Sequence, residues 1–174
     1  MPRPTEAQKT FTALLAKHGD FLRTFIEGVT KTLTTHLKTK PGASRPFLRQ
    51  DPPADKIDVL STTQVKGQFN GTDFSMTLVL CLQEATFMKV YQDMFGEAAA
   101  GISDENKDLA GELLNMSFGS ADPELKKLGY KLKGSIPQVF TGAALDARLA
   151  EIRERTIAIP LSTPEDRVIL ELMP

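Results

Sequence analysis

Asp108, Glu112, Asn115 and Gly119 follow one another at steps of four, three and four residues. On an α-helix that spacing stacks them along one line of the surface. The line presents a carboxylate at Glu112, which can only accept hydrogen bonds when ionised, and a carboxamide at Asn115, which both donates and accepts. Leu109, Leu113 and Met116 fall to one side, where they are expected to bury against a sheet and leave the polar pair standing on the opposite face, one turn apart. Asparagine is a mediocre helix former, so an amide at position 115 costs a few tenths of a kcal/mol against Ala or Leu without serving as a cap. Taken alone, such a face is ordinary solvated surface, and the spacing assigns no function.

The elements that must position this line can be read from periodicity. Phe11, Leu14 and Leu15, then Leu22, Ile26, Val29, Leu33 and Leu37, recur at helical steps and predict a long amphipathic N-terminal helix, which Lys38-Thr39-Lys40-Pro41-Gly42 ends. A Pro-rich loop is expected over 41–55, with Phe47 and Leu48 as the only candidates there for a short edge strand. Ile57 to Phe69 and Phe74 to Leu82 alternate with a period of two, and Asn70-Gly71 between them suits a type I′ turn, so a tight antiparallel hairpin is predicted. Glu84 to Phe95 reads as a second helix capped by Gly96. Ser103 is the expected N-cap of a third, with Asp104 and Glu105 in its first turn and its end near Phe118; Pro123 suggests a new helical turn from about Asp122. Tyr130 to Ser135 is an expected strand, and Ile152 to Leu161 with Arg167 to Met173 an expected last hairpin. Helices and antiparallel strands in this order fit an α/β fold of the α+β type, in which an antiparallel sheet is covered by the long N-terminal helix and two central helices.

Composition narrows the function classes. The 174 residues suit one domain, 1–174, with an N-terminal helical region 1–40, the loop 41–55, and sheet and third helix within 56–174. Lys+Arg 21 against Asp+Glu 22 leaves a net charge of −1, which gives no broad basic surface for nucleic acid or anionic membrane. The longest strongly apolar stretch, Leu78 to Leu82, is far short of the ~20 residues of a membrane-spanning helix, and Met1-Pro2-Arg3-Pro4-Thr5 does not open a signal peptide, so a cytoplasmic protein is expected. Cys81 is the single cysteine and lies in an apolar strand pattern, which predicts an inert buried thiol and excludes a Cys-rich metal site. His18 and His36 form no ligand pair, and His36 is expected to be a surface or partly packed residue of the first helix.

The string Asp108-Leu109-Ala110-Gly111-Glu112-Leu113-Leu114-Asn115-Met116, followed by Gly119, by Gly129-Tyr130-Lys131 and by Ser135-Ile136-Pro137, resembles the CheX branch of the CheC/CheX/FliY family of chemotaxis phosphatases. That family's signature is an acidic or Ser residue, a Glu, two residues, an Asn, and a distant Pro. The resemblance covers roughly residues 57–142 and extends more weakly to both ends. Glu112 and Asn115 match the paired functional positions, Asp108 the leading acidic position, and Pro137 the later Pro. A single Glu-x-x-Asn element is visible, as in CheX, whereas CheC-like members typically carry two.

The resemblance implies a phosphatase whose substrate is the phosphorylated aspartate of a CheY-like response regulator, a mixed anhydride already prone to attack by water. It implies that Asn115 orients that water and that Glu112 pairs with a Lys beside the phosphoryl group, while Asp108 and Gly119 lie on the docking face and Pro137 supports the motif. The protein would hold no metal of its own, with Mg2+ on the regulator's carboxylates. CheX-like proteins also resemble homodimers built by strand-to-strand pairing, which would relieve an exposed sheet edge. The alternative is a non-catalytic module that docks the same helix on a receiver domain.

Overall fold

The computed structural model describes residues 6–48, 56–152 and 156–173. Met1–Thr5, positions 49–55 of the expected Pro-rich loop and positions 153–155 of the expected last hairpin lie outside the described residues. The elements run α1 (Glu6–Leu37), β1 (Gly42–Ala43), β2 (Phe47–Leu48), β3 (Val59–Phe69), β4 (Thr72–Leu82), α2 (Glu84–Phe95), α3 (Leu109–Lys127), β5 (Tyr130–Gly134), β6 (Gln138–Phe140), α4 (Gly142–Ile152), β7 (Ile157–Ser162) and β8 (Arg167–Met173).

The strands form one antiparallel sheet in the order β1-β7-β8-β4-β3-β5, with β2 also paired to β7 and β6 to β3. Its centre is the hairpin predicted from alternation. β3 and β4 pair from Val59 with Leu82 to Phe69 with Thr72, around Asn70 (φ 49°) and Gly71 (φ 81°), the two positive φ values that a type I′ turn requires. Every second residue then points the same way. Val59, Val65, Leu78, Leu80 and Leu82 face a core shared with α1, α2 and α3, where Phe21, Phe25, Val29, Phe87, Leu113 and Leu114 are fully buried. Leu60, Val79, Cys81, Ala158 and Ile169 face the other way and pack with Leu145 and Ile152 of α4. Cys81 is buried there, as its strand pattern predicts. The expected architecture therefore holds, with a fourth helix added on the opposite face.

Some boundaries differ from the sequence reading. The last hairpin begins at Ile157, not Ile152, because Ile152 closes α4 and is buried as part of that helix. The third helix is not broken near Asp122. It runs to Lys127 with Pro123 inside it. Proline there removes the bond to the Gly119 carbonyl, and Gly119 is exposed, so water can serve that carbonyl instead. Among the described residues, no helix is long and apolar enough to cross a membrane.

α1 bends once, at His18, whose backbone leaves helical values (φ −128°, ψ 23°). The imidazole Nδ1 lies 3.0 Å from the Tyr130 hydroxyl and the ring stands edge-on to Phe74. Burial, and then the neighbouring Lys17 ammonium, hold its pKa below the ordinary histidine value. His36 near the other end is packed against α2, its Nδ1 2.9 Å from Asp93 Oδ2. Between them α1 crosses α3 at Gly28, where an added Cβ would stand 2.5 Å from the Ser117 carbonyl oxygen and 3.0 Å from Ala121 Cβ. Because the obstacle is backbone, it cannot turn aside. Gly28→Val is expected to lower unfolding stability by about 1–3 kcal/mol, as overpacked substitutions do, measurable by urea denaturation.

Candidate active site

α3 is seated on three sides. Ala110, Leu113 and Leu114 are fully buried and Ser117 nearly so, and these residues form the stripe that faces α1 and the sheet. Ser61 of β3 donates its hydroxyl to the Ala110 carbonyl at 2.8 Å, a buried bond that fixes the helix lengthwise on the sheet. On the flank, a Cβ at Gly111 would lie 3.2 Å from both Pro137 Cβ and Val139 Cγ2, so the segment entering β6 passes directly against the helix backbone. Pro137 therefore packs against the turn of α3 that carries Gly111 and Glu112.

The lead-in differs from expectation. Ser103 is not the N-cap of α3; it opens a separate turn, and the helix begins at Leu109 with Asp108 at the cap position. The cause is Asn106, which is buried and whose side chain accepts the Ser103 N–H at 2.8 Å and donates to the Gly101 carbonyl at 2.8 Å. That ring of bonds closes a turn over Ser103–Asn106 and delays the helix. Asp108 has helical backbone angles (φ −63°, ψ −17°) and makes no side-chain cap bond, so it still lies in line with Glu112.

Asp108, Glu112, Asn115 and Gly119 are all exposed, on the side of α3 opposite the buried stripe. Neither Glu112 nor Asn115 has a side-chain hydrogen bond or ion pair with another described residue. In contrast, acidic residues nearby are paired, Asp104 with Lys107 and Asp122 with Lys126. The arrangement is a firmly seated helix whose exposed line carries the carboxylates of Asp108 and Glu112 and the Asn115 amide, with the hydrogen-bonding capacity of Glu112 and Asn115 turned outward. It can bind a cationic group and direct a small polar molecule on a docked partner.

Met116 departs from the reading that buried it with Leu109 and Leu113. It is 37% exposed, because the buried stripe is centred on Ala110, Ser117 and Ala121 and Met116 sits at its margin. No pattern in the sequence marks Ile136, which is 89% exposed between Ser135 and Pro137.

A family model, Chemotaxis phosphatase CheX, matches residues 60–161, which include α3 and the segment through Pro137. The chain belongs to the CheX family. Among solved structures, Chemotaxis protein CheX from Vibrio vulnificus superposes with a TM-score of 0.73 at 22% identity, over 88% of this chain and 98% of that one. A CheC-like superfamily protein from Shewanella sp. PV-4 gives a TM-score of 0.70 at 23% identity, over 88% and 96%. The CheX–CheY–BeF3–Mg2+ complex from Borrelia burgdorferi matches at TM-score 0.66 and 15% identity, over 87% and 96%. These likenesses establish the fold of this CheX-family member; no curated protein matches the chain.

Proposed function

We propose that this CheX-family protein is a phosphatase that hydrolyses the aspartyl phosphate of a CheY-like response regulator. The observation that carries the reading is the Glu112–Asn115 pair, exposed and without partners among the described residues on a helix whose other side is buried. The existence of a solved CheX–CheY complex containing BeF3 and Mg2+ supports the choice of partner. When α3 docks, the Asn115 amide holds a water in line with the phosphorus. The water oxygen forms a bond to phosphorus as the bond to the aspartyl oxygen breaks, the carboxylate leaves, and the water's proton passes to the phosphate. Glu112 fixes the register by pairing with a regulator Lys. Mg2+ sits on the regulator and supplies charge neutralisation there. The whole chain acts as one CheX-like domain, in the cytoplasm where response regulators work, and pairs an edge strand with a second copy.

Substoichiometric protein is expected to remove phosphate from many equivalents of phosphorylated regulator, which phosphate release followed over time would show. A complex that forms without turnover would replace the phosphatase by a binding module.

A further inference from the structure

Ile136 is the most exposed large apolar residue among those described, and the segment that carries it is held on both sides. Before it, the Ser135 N–H donates to the Gln64 carbonyl at 2.8 Å, the Ser135 carbonyl accepts from Thr63 Oγ1 at 2.7 Å, and Ser135 Oγ accepts from the Gln64 N–H at 3.0 Å. After it, Pro137 packs on Gly111. A loop pinned in this way cannot fold the isoleucine back into the core.

The same segment passes along the motif helix. The segment runs antiparallel to α3: a Cβ at Gly134 would lie 3.6 Å from the Phe118 ring, and one at Gly111 would lie 3.2 Å from Pro137. Asn115 lies between Gly111 and Phe118 in α3, and Ile136 lies between Gly134 and Pro137 in the segment that passes those two residues. Met116, 37% exposed, follows Asn115. Exposed apolar residues thus occur both in the segment that passes α3, at Ile136, and on α3 itself, at Met116, with the carboxylates of Asp108 and Glu112 toward the N-terminal end of that helix.

We infer that Ile136, with Met116, is an apolar anchor for the regulator's receiver domain, seated in an apolar patch beside that domain's acidic phosphorylation pocket. This rests on the function proposed above. The occupant follows from continuity and charge. A partner that brings a cation to Glu112 and admits Asn115 must also cover these apolar residues, and its matching surface must be part cationic and part apolar. An anchor of this kind sets affinity and selects among receiver domains, while the amide sets the rate.

The test uses full-length protein and a CheY-like receiver domain, unphosphorylated but loaded with beryllofluoride and Mg2+ for binding, and phosphorylated for turnover. Ile136→Ser is expected to weaken binding and raise KM by about tenfold, with kcat within about twofold of wild type, and Ile136→Leu to restore both. Met116→Gln should act in the same direction. Unchanged affinity and KM in Ile136→Ser, with wild type binding and turning over, overturns the anchor and leaves the phosphatase intact. A changed sedimentation state with unchanged affinity also overturns it, by assigning the side chain to self-association. Binding by wild type without turnover, weakened in Ile136→Ser, upholds the anchor and removes the phosphatase. No binding by wild type removes both.

Discussion

Asn115→Ala is expected to lower the accelerated rate of regulator dephosphorylation by about a hundredfold or more, while affinity for the beryllofluoride-loaded regulator stays within about threefold of wild type. The expectation follows from what the amide can supply. It has no proton-transfer role near neutral pH, so its contribution is geometric: it holds a water that would otherwise arrive from any direction. The substrate is a reactive mixed anhydride, so orientation is enough to shorten its lifetime. Stability should move the other way. Asn115 is exposed within α3, and alanine is the better helix former by several tenths of a kcal/mol, so the variant is expected to unfold at slightly higher urea. Opposite signs for stability and rate mark a residue kept for function at a cost to the fold. Phosphate release at saturating regulator, beside a urea titration, measures both. Unchanged turnover would remove the water-positioning role.

The line through Asp108, Glu112, Asn115 and Gly119 was legible because helical periodicity alone puts those positions on one side, and α3 keeps that periodicity. The β3–β4 hairpin was legible because alternation and the Asn70-Gly71 turn agree. Where the reading fell short, the deciding contacts are distant in sequence. Asn106 holds Ser103 and Gly101 through its side chain, which moves the start of α3 to Leu109, and nothing in the pattern near Ser103 announces that. Proline commonly begins helices, so Pro123 suggests a new start in the sequence, whereas tertiary packing of Ala121 and Leu125 carries α3 through it. α4 did leave a signal, since Leu145, Leu149 and Ile152 recur at steps of four and three and all join the second core cluster. Ile136 left none. Its meaning comes from Ser135 being pinned to β3 and Pro137 lying on Gly111, contacts that only the folded chain makes.

Glu112→Lys is expected to raise KM by about a hundredfold with kcat at saturation near wild type, and Glu112→Gln by about tenfold, because removing a charge pair is less costly than replacing it with repulsion. Two roles of this carboxylate must be separated. Glu112 lies in the first turn of α3, where a negative charge also favours the helix macrodipole by about 0.3–1 kcal/mol. Glu112→Lys therefore lowers folding stability a little, and urea denaturation reads that part on its own. The docking part has a different signature. An exposed ion pair across an interface is screened by salt, so wild-type KM should climb as ionic strength rises through the range where the Debye length falls below about 10 Å. In Glu112→Gln that dependence should flatten, and in Glu112→Lys it should reverse, since salt then screens a repulsion. A KM for Glu112→Lys equal to wild type at low salt would mean that the carboxylate faces water in the complex, and the orientation given to α3 against the regulator would have to turn about its axis.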